Sequence, residues 1–342
     1  MTETIKTLDQ LEERLSEPTA EVVETMRRLN GDLILLGIAG KIGPSLARMA
    51  KRASELAGVK RRVIGVARFS PGDGQAELER HGIETIRCDL LDEAALRRLP
   101  DAPNVLYLAG MKFGATGQES LTWAMNTHLP AMVCQKFARS RIVAFSTGNI
   151  YGLVPVVGGG SVETDPPAPV GEYAMSCLGR ERMFDHFSRT HGIKVVLIRL
   201  NYACDLRYGV LVDLAQKVLA GIPVDLGMSW FNTIWQGDVN AMTLRCFDHV
   251  ASPPLVLNLT GPELLNVREV CEKLGQLLDR KPVFAGTESS TALLSNAQRT
   301  FELVCKPRVS AEKLIAWVAD WLRRGGATLN KPTHFEARDG KF

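Results

Sequence analysis

Residues 33–50, LILLGIAGKIGPSLARMA, form the most informative segment of this 342-residue chain. Its first four residues are apolar and predict a buried strand, and the alanine-rich segment after Gly43 predicts a helix. Between them Gly37, Gly40 and Gly43 form G-x-x-G-x-x-G, one residue longer than the commonest dinucleotide fingerprint. Glycines let a pyrophosphate approach the backbone, and a helix N-terminus offers unpaired N–H groups to it. The stretch therefore predicts a nucleotide-binding strand–turn–helix unit.

Beyond this segment, strand-like and helical segments alternate along the chain. Strands are predicted at 61–70, 84–92, 104–114, 141–152, 194–202 and 255–260, with helices at 173–189, 209–220, 267–279, 310–324 and from Asp238. Regular alternation of this kind predicts an α/β fold with a Rossmann-type, doubly wound parallel sheet.

The pattern also predicts a division of the chain. Residues 1–30 form a helical arm, and 31–203 form a dinucleotide-binding domain to which 237–260 returns. Residues 204–236 and 261–325 form a smaller α/β substrate-binding domain, and 326–342 a polar, extended tail. A cleft between the two domains would hold the substrate.

Composition excludes several classes of partner. The net charge of +3 is too small to indicate nucleic-acid binding, and no apolar stretch approaches the ~20 residues of a membrane helix. The polar N-terminus is no signal peptide. Seven scattered cysteines without a C-x-x-C pair indicate reduced thiols and a cytoplasmic protein. The histidines have no metal-binding spacing, so no metal site is expected.

The end of the second predicted strand bears on the choice of cofactor. NAD-binding sheets place Asp or Glu there against the ribose hydroxyls, whereas this chain has Ala67 and Arg68, with Ser70 nearby. A guanidinium and a hydroxyl suit a 2′-phosphate, which favours NADP over NAD. The alternative is that Arg68 is a solvated surface charge. Lys112 follows the fourth strand and is expected near the cofactor.

Several motifs together resemble the extended short-chain dehydrogenases/reductases, in the branch of the nucleotide-sugar epimerases and dehydratases. The resemblance covers about 31–325, and its motifs are the glycine turn, Asp89-Leu90, Leu108-Ala109, Ser146-Thr147-x-x-x-Tyr151-Gly152, Arg199-Leu200-Asn201 and Asp238-Val239. It implies that Tyr173 moves the proton and that Thr147 polarises the substrate oxygen. The lysine of the family's Y-x-x-x-K motif should stand at 177, where this chain has Cys177.

The resemblance and the strand-end rule together assign a set of cofactor-binding residues. They are Gly37, Gly40, Lys41, Ile42, Gly43, Arg68, Asp89, Leu90, Leu108, Ala109, Gly110, Asn126, Tyr173 and Asn201. The resemblance further implies a homodimer through the helices that follow the fourth and fifth strands. It also implies a small-molecule substrate: a sugar, sugar acid or nucleotide-sugar.

The missing lysine matters because a phenol has an ordinary pKa of about 10 and needs a nearby cation to shuttle protons near neutrality. Two residues could supply the charge: Lys112, and Arg180, seven residues past Tyr173 on the same helical face. Our hypothesis assigns this role to Lys112, as a catalytic residue. Cys177 is interpreted as a small buried thiol or, alternatively, as a reactive cysteine.

Three functions compete on these grounds. The leading one is an NAD(P)-dependent oxidoreductase or epimerase that works by hydride transfer, with Tyr173 as acid and base. The alternative is a catalytically impaired NAD(P)-binding sensor or scaffold, which the missing lysine supports. An RNA-binding relative would need a basic stripe that the charge does not provide. Trp230 and Trp235 could stack on a sugar ring or fill the core of the second domain.

Overall fold

Seven parallel strands form the central sheet of the computed structural model, which describes residues 4–70, 72, 74–112, 114 and 116–341. They are β1 (Leu33–Leu36), β2 (Val63–Ala67), β3 (Glu84–Arg87), β4 (Asn104–Tyr107), β5 (Arg141–Thr147), β6 (Lys194–Leu200) and β7 (Leu255–Leu259). Phe113, in the segment predicted as the fourth strand, and the outer ends of the arm and tail lie outside the described residues.

The strand order is β7-β6-β5-β4-β1-β2-β3, so the predicted doubly wound parallel sheet is confirmed. The chain moves one way from β1 to β3 and then crosses back to β4 on the other side of β1. Ligands in such sheets bind at the carboxyl ends of the strands where the order reverses, here between β1 and β4.

Helices cover both faces of the sheet and build the second part of the molecule. They are α1 (Leu8–Leu15), α2 (Ala20–Arg28), α3 (Gly43–Leu56), α4 (Gln75–Arg80), α5 (Glu93–Arg97), α6 (Glu119–Trp123), α7 (Leu129–Lys136), α8 (Gly171–His191), α9 (Val210–Ala220), α10 (Gln236–Arg245), α11 (Val267–Leu278), α12 (Gln298–Leu303) and α13 (Ala311–Arg323). A π-helical turn, Ala124–His128, joins α6 to α7.

Alternating side chains of the strands feed two separate core layers. In β1, Leu33 and Leu35 join the layer that includes α2, α3 and α10, whereas Ile34 and Leu36 join the layer that includes α7 and α8. Because successive residues of a strand point to opposite faces, an unbroken apolar run is what a strand covered on both sides requires.

A third apolar cluster forms the core of the second part of the molecule. It unites α1 with α9, α11 and α13, and it includes Trp235, whose ring packs edge-on against Trp317 at 5.4 Å between centroids. Trp230 packs against the same cluster. Both tryptophans therefore serve this core, which favours the packing alternative over sugar stacking. Short strand pairs complete the region: Ala203–Cys204 with Ile234–Trp235, Val224–Asp225 with Phe284–Ala285, Trp230–Phe231 with Leu265–Asn266, and Val154–Pro155 with Thr291–Ala292.

Residues 326–341, the described part of the C-terminal segment, contain no helix or strand, yet the segment is anchored at several points. Phe335 is 1% exposed and packs against Phe231. The Arg338 guanidinium donates to the carbonyl oxygens of Gly227 at 2.9 Å and Thr291 at 3.0 Å. In the described part of the chain, no helix combines the length and apolar character needed to cross a bilayer.

Candidate active site

A continuous groove runs along the carboxyl edge of the sheet, where β1 and β4 diverge. A cavity of about 420 Å³ is lined by the glycine turn, Lys112 and Tyr173. At one end it adjoins a cavity of about 210 Å³ lined by residues that follow β2 and β3. At the other end it adjoins a cavity of about 180 Å³ that contains Thr147, Asn149 and Asn201. We call these the central, adenosine and substrate cavities.

The local structure accounts for each of the three glycines of the turn in a different way. Gly37 has a φ of +90°, and a Cβ there would lie 2.7 Å from the Ala109 nitrogen. A Cβ on Gly43 would lie 2.0 Å from the Ile38 carbonyl oxygen, so α3 can pack against the turn only with glycine there. At Gly40 the nearest atom to an added Cβ would be the Gly37 oxygen at 3.5 Å. Gly40 is therefore not demanded by packing, but it lines the central and adenosine cavities, where its missing side chain keeps the groove open.

The N-terminus of α3 opens onto this groove. Ile42 precedes the helix without a capping side chain among the described residues, and the first turn contains no acidic residue. The helix therefore presents its N–H groups and partial positive charge to a ligand. These features fit the diphosphate of a dinucleotide, so the residues present suit the cofactor that the sequence predicts.

The adenosine cavity collects the residues that follow β2 and β3. Ala67, Arg68 and Ser70 line it from one strand, and Asp89 and Leu90 line it from the next. The Arg68 and Ser70 side chains are exposed and can reach a ligand. Nearby, Asp92 caps α5 by accepting a hydrogen bond from the Ala95 N–H at 3.0 Å.

Tyr173, Thr147 and Cys177 meet where the central and substrate cavities join. The Tyr173 hydroxyl is hydrogen-bonded to both Thr147 and Cys177. Burial raises the pKa of Tyr173 above its usual range, the Cys177 thiol adds to the rise, and the charge of Arg180 and the Thr147 hydroxyl oppose it. Burial also raises the pKa of the Cys177 thiol, which is fully buried. Tyr173 is consequently a protonated phenol at neutral pH, and Cys177 is a protonated thiol.

Arg180 is a buried cation beside this group. Its Nη1 donates to the Phe145 carbonyl at 2.9 Å, and its Nη2 donates to Asn126 Oδ1 at 2.7 Å. Asn126 Oδ1 also accepts from the Met111 N–H at 2.9 Å. A Cβ at Gly110 would lie 2.3 Å from Nη2, so glycine is needed for this approach. Arg180 thus connects α8 to the turn after β4.

Lys112 lies over the Tyr173 ring. Its Nζ is 5.8 Å from the ring centroid and 3.4 Å from the Thr333 carbonyl oxygen. Burial lowers the pKa of Lys112 to about 8, and the Cys177 and Asp213 groups oppose that shift. The two cations that the sequence proposed therefore approach Tyr173 differently. The charge of Arg180 opposes the rise in the pKa of the phenol, and the Lys112 ammonium group lies over the ring.

A buried ion pair stabilises the residues at the end of β5, next to the site. Arg199 and Glu181 side chains are 6% and 5% exposed, and their closest N–O distance is 2.8 Å. Glu181 also accepts from the Ser146 hydroxyl at 2.6 Å, and Arg199 donates to the Tyr151 hydroxyl at 2.6 Å. Tyr151 is therefore a structural residue that helps fix the end of β5, and its hydroxyl faces the protein interior.

The groove gathers almost all residues that the sequence proposed. Those that line it are Gly37, Gly40, Lys41, Ile42, Gly43, Arg68, Asp89, Leu90, Leu108, Ala109, Gly110, Lys112, Thr147, Tyr173 and Asn201. Asn201 lies in the substrate cavity, where its side chain donates to Asn232 at 2.9 Å. Asn126 is fully buried behind the groove and bonds Met111 and Ser176, so it positions the turn after β4.

Other lining residues were missed by sequence reasoning. Asn149, Tyr208 and Gln236 line the substrate cavity together with Thr333, and Lys331 lines the central one. Asn149 lies within the motif that runs from Ser146 to Gly152, so its position gave a signal. Lys331 and Thr333 belong to the C-terminal segment, and nothing in the sequence indicates that this segment returns to the groove.

The chain is similar to known proteins both in sequence and in fold. The family model described as the NAD dependent epimerase/dehydratase family matches residues 33–204, just over half of the chain. A search of curated proteins found no matching relative.

Solved structures of similar fold include several epimerases. UDP-glucose 4-epimerase from Thermotoga maritima, solved with UDP-glucose, is 19% identical with a TM-score of 0.69, covering 86% of this chain and 99% of that one. UDP-glucuronic acid 4-epimerase from Bacillus cereus, solved with NAD, is 18% identical with a TM-score of 0.71 and the same coverage. MoeE5, solved with UDP-glucuronic acid and NAD, is 20% identical with a TM-score of 0.68, covering 86% and 100%.

At these identities the structural likeness establishes the fold, and the family model establishes the membership. The glycine turn, the β5 motif with Thr147, and Tyr173 on α8 occupy one groove in the described structure. The chain belongs to the NAD-dependent epimerase/dehydratase family.

Proposed function

We propose that this protein is a nicotinamide-dependent oxidoreductase or epimerase that acts on a hydroxyl or keto group of a sugar-like small molecule. One observation carries the proposal: Tyr173, hydrogen-bonded to Thr147, lines the same groove as the glycine turn. A substrate in the substrate cavity would then lie between the proton-transferring phenol and the cofactor. The NAD bound to similar structures supports a nicotinamide cofactor.

The residues of this chain would hold the cofactor along the groove. The N–H groups at the start of α3 would bind the diphosphate, and Asp89 and Leu90 would contact the adenine. Arg68 and Ser70 would bind a 2′-phosphate, so we propose NADP as the preferred form. When bound, the nicotinamide ring supplies or accepts the hydride.

Tyr173 would act as the acid in the reductive direction. Because its phenol keeps its proton at neutral pH, it can donate that proton to a carbonyl oxygen as the hydride reaches the carbonyl carbon. The Thr147 hydroxyl would polarise the same oxygen. In the oxidative direction the phenol must first lose its proton, so we expect the oxidative rate to rise with pH. Lys112 and Arg180 are the two cations that can assist, and Lys112 remains our proposed catalytic residue.

Replacement of Tyr173 tests this function. Tyr173→Phe should lower turnover by about 10²–10⁴-fold, because general acid–base catalysis contributes about that factor, while cofactor binding should persist. Tyr107→Phe is the matched control, since that hydroxyl bonds the Met125 carbonyl and lies outside the three cavities of the groove. Turnover is followed through the absorbance of the reduced cofactor on a panel of sugars, sugar acids and nucleotide-sugars.

The second candidate, a cofactor-binding sensor or scaffold, is supported by Cys177 in place of lysine and by the raised pKa of Tyr173. The same measurements distinguish it. Tight cofactor binding with no turnover on the whole panel, in wild type and Tyr173→Phe alike, would favour the sensor and refute the enzyme.

A homodimer through α6 and α8 is part of the proposal. These helices expose the apolar side chains of Leu121, Trp123 and Met175. Light scattering on the purified protein would measure its mass directly. A monomer at micromolar concentration would refute the dimer.

A further inference from the structure

Three lysines from three separate parts of the chain converge on the groove. Lys41 comes from the glycine turn, Lys112 follows β4, and Lys331 belongs to the C-terminal segment; all three line the central cavity. Lys41 and Lys112 also line the substrate cavity. Lys41 Nζ lies 3.2 Å from the centroid of the Tyr208 ring, which directs the ammonium group toward the substrate side.

Charges of both signs act on Lys41, and the two like charges rank ahead of the two opposite ones. Burial lowers the pKa of Lys41 to about 7, and repulsion from Lys112 and Lys331 adds to this shift. Asp213 and Asp205 oppose it. Neither aspartate lines the substrate cavity, and in the described part of the chain its lining contains no Asp or Glu. An anion bound there would relieve the repulsion between the lysines.

The two aspartates whose charges oppose the fall in the pKa of Lys41 are hydrogen-bonded to other groups. Asp213 accepts from the Thr333 N–H at 2.8 Å and from its hydroxyl at 2.6 Å. Asp205 accepts from the Arg207 side chain at 2.7 Å and from the Tyr208 N–H at 2.9 Å. These contacts keep both carboxylates outside the cavity, where they fix its walls.

The substrate cavity is small because the C-terminal segment closes one side of it. Thr333 forms part of the wall, and the Lys112 ammonium group donates to its carbonyl oxygen. The Leu329 N–H bonds the Arg207 carbonyl at 3.0 Å, which attaches the segment beside α9. The resulting volume is about 180 Å³. Pockets for drug-sized ligands measure about 300–1,000 Å³, so the substrate cavity by itself is too small for a whole nucleotide-sugar.

We propose that the substrate is a small sugar-sized acid, carrying a carboxylate or a phosphate, whose anionic group is bound by Lys41 and Lys112. The inference rests on the proposed function and narrows its substrate class. Ammonium groups form charge-assisted hydrogen bonds to both kinds of anion, which are stronger than neutral ones. Carboxylate and phosphate share this chemistry, and the experiment separates them.

Calorimetry on the cofactor-saturated protein tests the proposal. D-gluconate carries a carboxylate, glucose 6-phosphate a phosphate, D-glucose neither, and UDP-glucose a nucleotide. We expect at least one of the two small acids to bind more than tenfold more tightly than glucose and UDP-glucose. Because the pKa of Lys41 is about 7, this lysine is about half protonated at pH 7, and a bound anion favours its protonated form. Binding at pH 7 should therefore be accompanied by the uptake of at most about half a proton. Proton uptake is read by repeating the titration in buffers of different ionisation enthalpy.

Variants assign the effect to the lysines. Lys41→Met should weaken binding of the acid more than tenfold and remove the proton uptake, whereas Lys60→Met, an exposed position before β2, should change neither. Equal binding of glucose and the acids, tighter binding of UDP-glucose, or no binding of either acid would overturn the proposal. So would a Lys41→Met protein that keeps its affinity for the acid and loses only affinity for the cofactor. Failure of the wild type to bind NAD or NADP at all, measured beforehand, would instead refute the proposed function.

Discussion

Replacing Lys41 with methionine should change how the stability of the protein depends on pH. In the folded protein the pKa of Lys41 falls from an ordinary 10.5 to about 7, first because of burial and then because of Lys112 and Lys331. Between about pH 7 and pH 10 the unfolded chain therefore binds more protons at this lysine than the folded protein does. Stability rises with pH wherever the unfolded state binds more protons, so Lys41 makes the wild type gain stability across this window.

The size of the effect follows from the shift. One proton of difference changes the free energy of unfolding by about 1.4 kcal/mol per pH unit. Between about pH 7 and pH 9 the difference averages a little under one proton, which gives roughly 2 kcal/mol. Because the Lys41 side chain is only partly buried, solvent screening reduces this to about 1–2 kcal/mol.

Urea unfolding of wild type and Lys41→Met at about pH 7 and pH 9 measures this quantity. The difference in free energy of unfolding between the two proteins should shift by about 1–2 kcal/mol in favour of the wild type at the higher pH. The cysteines and tyrosines titrate in both proteins, so their contributions to the pH dependence of the unfolding free energy cancel in the comparison. Lys60→Met, exposed at the opposite edge of the sheet, should parallel the wild type. If the free energies of unfolding of wild type and Lys41→Met changed identically with pH, the lowered pKa of Lys41 in the folded protein would be refuted.

Other substitutions test the remaining parts of the site. Glu181→Ala leaves the buried Arg199 without its carboxylate and should cost about 3–5 kcal/mol of unfolding free energy in urea, whereas Glu93→Ala, in an exposed pair, should cost less than about 1 kcal/mol. Equal losses would contradict the supporting role of the buried pair. Arg68→Ala should weaken NADP binding by about tenfold or more, since a hydrogen bond to a charged group contributes about 1.5–3 kcal/mol, and should leave NAD binding unchanged in a fluorescence titration. Cys177→Ser should keep turnover within about tenfold of wild type, because the buried thiol is protonated and cannot act as a nucleophile; complete inactivation of a folded variant would show a chemical role.

Much of the fold could be predicted because local patterns and tertiary packing agree. The apolar run 33–36 forms a strand buried on both faces, and the glycine turn and α3 follow it as expected. The helix predicted from Tyr173 begins at Gly171. Boundaries differ because strands end where ladder hydrogen bonds stop: the segment predicted at 104–114 contributes only Asn104–Tyr107 to the sheet. The residues beyond it form the turn that carries Lys112.

The parts of the site that escaped prediction depend on contacts distant in sequence. The segment after residue 325 is polar, and Phe335 packs into the third apolar cluster. Sequence periodicity carries no information about such a contact, so the arrival of Lys331 and Thr333 at the groove could not be foreseen. Arg180 was foreseen as a helical neighbour of Tyr173, but its bonds to Phe145 and Asn126 depend on how α8 packs on the sheet.

Binding of a nicotinamide dinucleotide to wild type and Gly40→Val tests most directly whether the glycine turn holds the cofactor. A Cβ at Gly40 would meet only the Gly37 oxygen, at 3.5 Å, so we expect the variant to fold, with its side chain projecting into the groove. Gly158→Val, in open space on a surface loop, is the matched control. Energy transfer from tryptophan to NADPH and NADH should give saturable binding for wild type and Gly158→Val, and affinity lowered more than tenfold, or about 1.4 kcal/mol, for Gly40→Val. A wild type that binds neither dinucleotide, or a folded Gly40→Val that binds them as tightly as wild type, would show that the glycine turn does not hold the cofactor.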